Sequence, residues 1–487
     1  MTTIQAPRVD ATPAAAQAPS RVPLRQRVAE VVFPVASTHE LNRRTVLGYV
    51  VGLTLAAAYP WATPGGRSHL THMWAEDGAV FLINAKTLAF PAVILQPYAG
   101  YLHSVPRLAA ELVALLPFSW AAAGMAIAAV MLRAALAVLV FAAARGHCPS
   151  PWLRLAIAAT IVVLPVGNNE ALGNLTNVHW FVLFAAFWVL LWRPASGWAI
   201  TLASVVLLLA ATSSPLVFAL VPLAALRLAL PLRRDRLPAA AYLFGTAVQL
   251  VPVVTNHRTP GDPFDLAQAT YAAIARGPLV MLLGPERTAD LYPKAAALSA
   301  IYGWPALLAT LLVLAAASVA IVNGSAPRQF LVAALLAYAA LIMAAIMYLN
   351  WGDILRIDHD RTVITGQRYG IVPCLFLFAA VACGLDRLPR PSWRVGMWAA
   401  RTALAAVIVY GAVFQWGSGE YGVQLYGPSW TESVASARAQ CVAGGQEVKV
   451  QENPDGWVIP IRCDQIGWEA DAPSGMRPKR PGPPDHA

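Results

Sequence analysis

Apolar runs long enough to cross a bilayer recur from Val46 to Trp416, separated by short turn-rich breaks. Backbone in hydrocarbon must satisfy every polar group internally, so runs of this length fold as bundled helices. Eleven spans are predicted: 46–62, 119–143, 153–168, 178–192, 198–212, 216–230, 238–255, 296–322, 329–349, 369–385 and 402–416. Charged residues make up 12% of the chain, about half the share of a soluble one. The fold class read from these features is an all-α polytopic membrane protein with about 11 transmembrane helices.

Residues 1–45 are rich in Ala and Pro and contain no compact apolar core before a cleavage site. They read as a disordered cytoplasmic N-tail rather than a signal peptide. With that tail inside, the cytoplasmic pieces and their flanks hold 18 basic residues against five acidic ones. The opposite register puts the basic loops outside, against the positive-inside bias. The net charge of +10 therefore reflects anchoring to the inner leaflet and gives no reason to expect a nucleic-acid partner.

An odd number of spans leaves the C-terminus outside. Residues 417–470 read as a small extracytoplasmic α+β appendage. It has a short helix over Glu432–Cys441, then two strands flanking the turn Asn453-Pro454-Asp455-Gly456. Cys441 and Cys463 share this segment, where an oxidising compartment favours a disulfide. Residues 471–487 are Pro-rich and charged, and read as a disordered tail.

Within the transmembrane domain, 46–416, the first outer loop, 62–118, is long and carries Trp74-Ala75-Glu76-Asp77-Gly78. Two adjacent carboxylates divide labour when repulsion raises one pKa and donors hold the other, so the pair is a candidate general base. Pieces 78–95 and 106–116 are apolar but too short to span, as interfacial segments are. His103 and Arg107 precede the second span at helical spacing and form a candidate anion site. The turn after the third span, Asn168-Asn169-Glu170 through Asn174, Asn177, His179 and Trp180, offers the amides and ring faces that a sugar needs. The third outer loop holds Asp353, Arg356, Asp358, His359, Asp360, Arg361, Arg368 and Tyr369. Arg361 and Arg368 are the candidate phosphate ligands there. His69 and His72 match no strong metal-ligand spacing, Arg133 is expected to hydrogen-bond within the bundle, and 256–295 reads as a solvated face or lid.

This layout resembles the GT-C superfamily of integral-membrane glycosyltransferases that use polyprenyl-phosphate sugars. The resemblance covers 46–416 in arrangement and the acidic pair in motif; the Ala/Arg-rich composition with a cysteine-paired tail is similar to actinobacterial membrane proteins. It implies a bacterial cytoplasmic-membrane enzyme that transfers a sugar, with inversion, to a cell-envelope glycan, lipid or protein acceptor on the outer face. Asp77, with Glu76 second, takes the base role in this resemblance. Substrate contacts fall to His103, Arg107, Asn177, His179, Asp360, Arg361, Arg368 and Tyr369. No cofactor is implied, and a divalent metal is left open. A lipid-linked glycan polymerase or ligase shares substrates and sidedness. A secondary transporter would want charge at mid-membrane and paired repeats, and Arg133 is the one strong charge deep in a span.

Overall fold

The computed structural model describes residues 23–35, 42–62, 64–164, 166, 168–171, 173–230, 236–256, 263–284, 287–288, 303–351, 366–386, 394–410 and 427–466. These are mostly helix, with one two-stranded sheet. Among the described residues, six helices are long and apolar enough to cross a membrane: Arg43–Ala62, Phe118–Gly146, Arg236–Thr255, Leu266–Leu283, Ala326–Leu349 and Gln367–Leu385. Shorter apolar helices stand among them, at Pro151–Val163, Val178–Leu191, Gly197–Ala211, Pro215–Ala229 and Leu307–Asn323. By helix length and hydropathy the chain is a multi-pass membrane protein.

Two segments differ from the sequence expectation. Leu266–Leu283 lies in the segment read as a solvated face or lid, yet it is an apolar helix, half buried in the bundle. Arg276 lies within it and Asp262, Asp265, Glu286, Arg287 and Asp290 flank it in sequence, and these mixed charges underlie the solvated-face reading. Trp351 Nε1 donates to Pro263 O at 3.1 Å, and Cys374 Sγ to Gly277 O at 3.3 Å. The helix therefore packs beside the adjoining ends of Ala326–Leu349 and Gln367–Leu385. The second difference is in the N-tail, where Leu24–Val32 is helical and Phe33 is fully buried under the Arg227 guanidinium, 5.7 Å from its ring centroid.

Val178–Leu191 is buried at every position, as a helix apolar everywhere but at His179 in its first turn must be. Phe184 and Phe187 meet Phe376 of Ile371–Leu385 at ring-centroid distances of 5.2 and 5.0 Å. At 1.5 Å per residue, a helix of this length rises only about 21 Å, well short of a ~30 Å hydrocarbon core. Pro151–Val163 is shorter still. Between them, Val166, Glu170, Ala171 and 174–177 are buried, and Thr176 and Asn177 border a hollow at the end that carries the first long loop. Irregular backbone at such depth is tolerated only where protein satisfies it.

The C-terminal appendage caps this end. Helix Trp430–Val442 opens with a reciprocal capping box between Ser429 and Glu432. Strands β1 (Glu447–Gln451) and β2 (Val458–Arg462) pair antiparallel, with Val448, Val450, Ile459 and Ile461 turned inward. The expected disulfide joins Cys441 to Cys463. Trp430 Nε1 donates to Phe118 O at 2.9 Å, fixing the appendage against the first loop.

Candidate functional site

The acidic pair is presented by an unusual stretch of backbone. Ala75 sits at φ 25°, in the left-handed region that a residue with a Cβ rarely occupies. Asp77–Leu82 then winds as a π-helix, a geometry that recurs at functional sites. As a result the two carboxylates diverge.

Asp77 turns into the protein and is buried. Its Oδ2 accepts from the Leu175 amide at 2.7 Å, and its Oδ1 from the Thr176 amide at 2.8 Å and the Thr176 hydroxyl at 2.6 Å. These bonds satisfy the buried Leu175 and Thr176 amides and favour the ionised carboxylate. Burial opposes them more strongly and pushes the Asp77 carboxyl up to about 7. Both of its oxygens are occupied, so Asp77 holds the connection in place and presents no open edge to a substrate.

Glu76 faces the other way and lines a cavity of about 440 Å³. Opposite it is Arg368, whose Nη1 donates to Glu170 Oε2 at 2.7 Å. The other oxygen of Glu170 accepts from the Gly366 amide at 2.8 Å, where the chain turns through φ 70°. Glu170 thus fixes the entry to the Gln367–Leu385 helix and aims Arg368 at the hollow. The Arg368 side chain remains 28% exposed.

Aromatic rings form the walls. Tyr98 and Tyr101 are joined by a tight turn, with Ala99 and Gly100 both at positive φ and two backbone hydrogen bonds between the tyrosines. The Tyr101 ring stands 4.1 Å from His103, His179 stands 4.2 Å from Trp180, and Trp180 meets Tyr369 edge-on at 5.7 Å. Asn256 and Asn350 add amides to the lining. A carboxylate, a guanidinium, amides and ring faces thus share one enclosed space.

A second hollow, about 360 Å³ and almost wholly apolar, opens beside it between Leu266–Leu283, Leu307–Asn323 and Ala326–Leu349. Met347 and Pro373 line this groove, while Leu349 and Tyr369 line the polar cavity. The helices Ala326–Leu349 and Gln367–Leu385 thus contribute to both spaces.

Of the residues proposed from sequence, the structure brings Glu76, His103, Asn177, His179, Arg368 and Tyr369 to the cavity. Asn177 spends its side chain internally: Nδ2 donates to Glu170 O, and Oδ1 accepts from Trp180 Nε1. Arg107 lies one turn behind His103, fully buried over the Phe81 ring at 5.3 Å, and is not part of the lining. Burial lowers its pKa to about 10. Asp360 and Arg361 lie outside the described residues. His72 bonds back to Ser68 O, His69 is buried beneath Gly173, and among the described residues no three His, Cys, Asp or Glu side chains gather as a metal site. Arg133 donates twice to Ile161 O, at 3.2 and 2.9 Å, within the bundle as expected.

Sequence reasoning missed Tyr98 and Tyr101, although Ala99-Gly100 between two tyrosines is a turn signal. It also missed the pairing of Glu170 with Arg368, 198 positions apart, for which no local signal exists. No protein-family model and no curated protein matches the chain.

Proposed function

We propose that the chain is a membrane glycosyltransferase that moves a sugar from a polyprenyl-phosphate donor to a hydroxyl acceptor at the outer membrane face. The observation that carries this reading is that Glu76 and Arg368 line one ring-walled cavity which adjoins an apolar groove. The groove suits an isoprenoid tail, the guanidinium a phosphate, and the tyrosine, histidine and tryptophan faces a sugar ring.

The reaction divides among these groups. The Glu76 carboxylate takes the proton of the acceptor hydroxyl as its oxygen bonds to the anomeric carbon. The bond from that carbon to the phosphate oxygen breaks, and its electron pair leaves with the polyprenyl phosphate. Arg368 stabilises the charge that develops there. Attack from the face opposite the leaving group inverts the anomeric centre. Glu76 takes the base role in preference to Asp77, because the oxygens of Asp77 are held by Leu175 and Thr176.

The test is transfer by the full-length protein in nanodiscs, offered a panel of polyprenyl-phospho-hexoses and -pentoses with envelope glycan and lipid acceptors. A new glycosidic product supports the reading. Absence of product from every donor, together with solute flux into proteoliposomes, contradicts it and favours a transporter.

A further inference from the structure

The C-terminal appendage reaches further into the acidic loop than a tethered module would. Asn453 N donates to Met73 O at 3.0 Å, and Ala75 N donates to Asn453 O at 2.6 Å. These two bonds make a parallel bridge at Trp74, directly ahead of the acidic pair. Beyond the pair, the Ala79 amide donates to Glu452 Oε1 at 3.0 Å. Three backbone groups bracketing Glu76 and Asp77 are therefore bonded to two consecutive appendage residues.

The fit is close. A Cβ at position 78 would run into Glu452 Oε2 and come within 2.7 Å of Ile459 Cδ1 and 2.8 Å of Met73 Cγ, so a side chain here would have to displace the Glu452 carboxyl. Asn453 Nδ2 also donates to Pro428 O, tying the hairpin to the start of the appendage.

We propose that Glu452 is a positioning residue for Glu76: its side chain, delivered by the C-terminal hairpin, pins the Gly78–Ala79 segment of the π-helix so that Glu76 faces the cavity. The appendage is then a wall of the site rather than a separate binding module. Glu452 is buried, and its Oε2 has no hydrogen-bond partner. The charged groups facing it are Glu76 and Asp77, and burial together with their negative charge pushes its carboxyl up to about 9. It therefore acts as a neutral acid, for which glutamine is a close mimic. Its effect on sugar transfer rests on the function proposed above, but its hold on the loop does not.

The experiment is hydrogen–deuterium exchange on the full-length protein in nanodiscs, comparing wild type, Glu452→Ala and Glu452→Gln. Glu452→Ala is expected to speed exchange in the peptide containing Ala79 by tenfold or more, with strands 447–451 and 458–462 still protected. Glu452→Gln is expected to exchange at the wild-type rate. Unchanged exchange at Ala79 in Glu452→Ala, or equal loss in both variants, overturns the proposal. If Glu452→Ala unfolds the hairpin as well, the infrared difference between wild type and Glu452→Gln at pH 7 decides: a neutral-carboxyl band supports the assignment and an ionised one overturns it. Where the sugar assay works, Glu452→Ala is expected to lower kcat more than it raises KM, with partial rescue by Glu452→Gln. A protein that shows the exchange pattern but transfers no sugar retains the Glu452 contact and refutes only the glycosyltransferase reading.

Discussion

Asp77 is bonded twice to Thr176, through its amide at 2.8 Å and its hydroxyl at 2.6 Å, while the adjacent Glu76 opens onto the cavity. Neighbours in sequence thus separate into a structural carboxylate and an available one. Asp77→Ala leaves the buried Leu175 and Thr176 amides without acceptors, at a cost of about 1–3 kcal/mol each. Its thermal midpoint in detergent is expected to fall well below wild type, whereas Glu76→Gln stays within about a degree or two. Equal midpoints for Asp77→Ala and Glu76→Gln contradict this division.

The Glu170–Arg368 pair predicts a different signature. In the proposed transfer Arg368 is the cation for the leaving phosphate, so Arg368→Ala is expected to lower kcat by about 100-fold or more. Glu170→Gln keeps that cation but removes the partner that aims it. Its loss of turnover is expected to be smaller, with a stability cost of about 3 kcal/mol from breaking a largely buried pair. Turnover with a fixed lipid-linked donor, read beside thermal melts, separates the two effects.

The carboxyl of Glu452 sets a pH dependence. Its folded pKa of about 9 stands above the ordinary 4.5, so the folded state holds a proton that the unfolded chain releases. The stability it contributes is complete below about pH 4.5 and is lost as pH rises towards 9. Glu452→Gln has no such proton. The midpoint of the wild type is therefore expected to decline relative to Glu452→Gln between about pH 5 and 9, and to level off above that. Parallel midpoint curves across this range contradict the buried, neutral acid.

The Cys441–Cys463 bridge closes a short loop with a sequence separation of 22, for which the chain-entropy model gives about 3 kcal/mol. The double variant Cys441→Ser, Cys463→Ser is expected to loosen strands 447–451 and 458–462 in hydrogen exchange. Val178–Leu191 and Ile371–Leu385, which touch neither strand, are expected to stay protected. Loss of protection throughout the bundle contradicts a stabilisation confined to the appendage.

Much of the helical layout was legible because hydrocarbon tolerates so few alternatives: long apolar runs must be helices, and Val178–Leu191, apolar at every position but His179, had to be central. The hairpin around Asn453 to Gly456 and the Cys441–Cys463 bridge were readable for the same reason, as local signals with one dominant outcome. The Leu266–Leu283 helix was hidden by the mixed charges in and around it, from Asp262 to Asp290, which imitate a solvated loop. The site was legible only as a list. Nothing local told that Asp77 would be consumed by the amides of Leu175 and Thr176, or that Arg368 would find Glu170. Glu452 was invisible, since a lone acid before a turn is ordinary until its distant partner, Ala79, is known.

The proposed chemistry requires Glu76 to carry the proton transfer. The decisive measurement is the single-turnover rate of sugar transfer from a bound polyprenyl-phosphate donor by the wild type and by Glu76→Gln in nanodiscs, with donor binding measured in parallel. A loss of about 10²- to 10⁴-fold in rate with donor affinity preserved is the predicted result. Transfer by Glu76→Gln at close to the wild-type rate would contradict it.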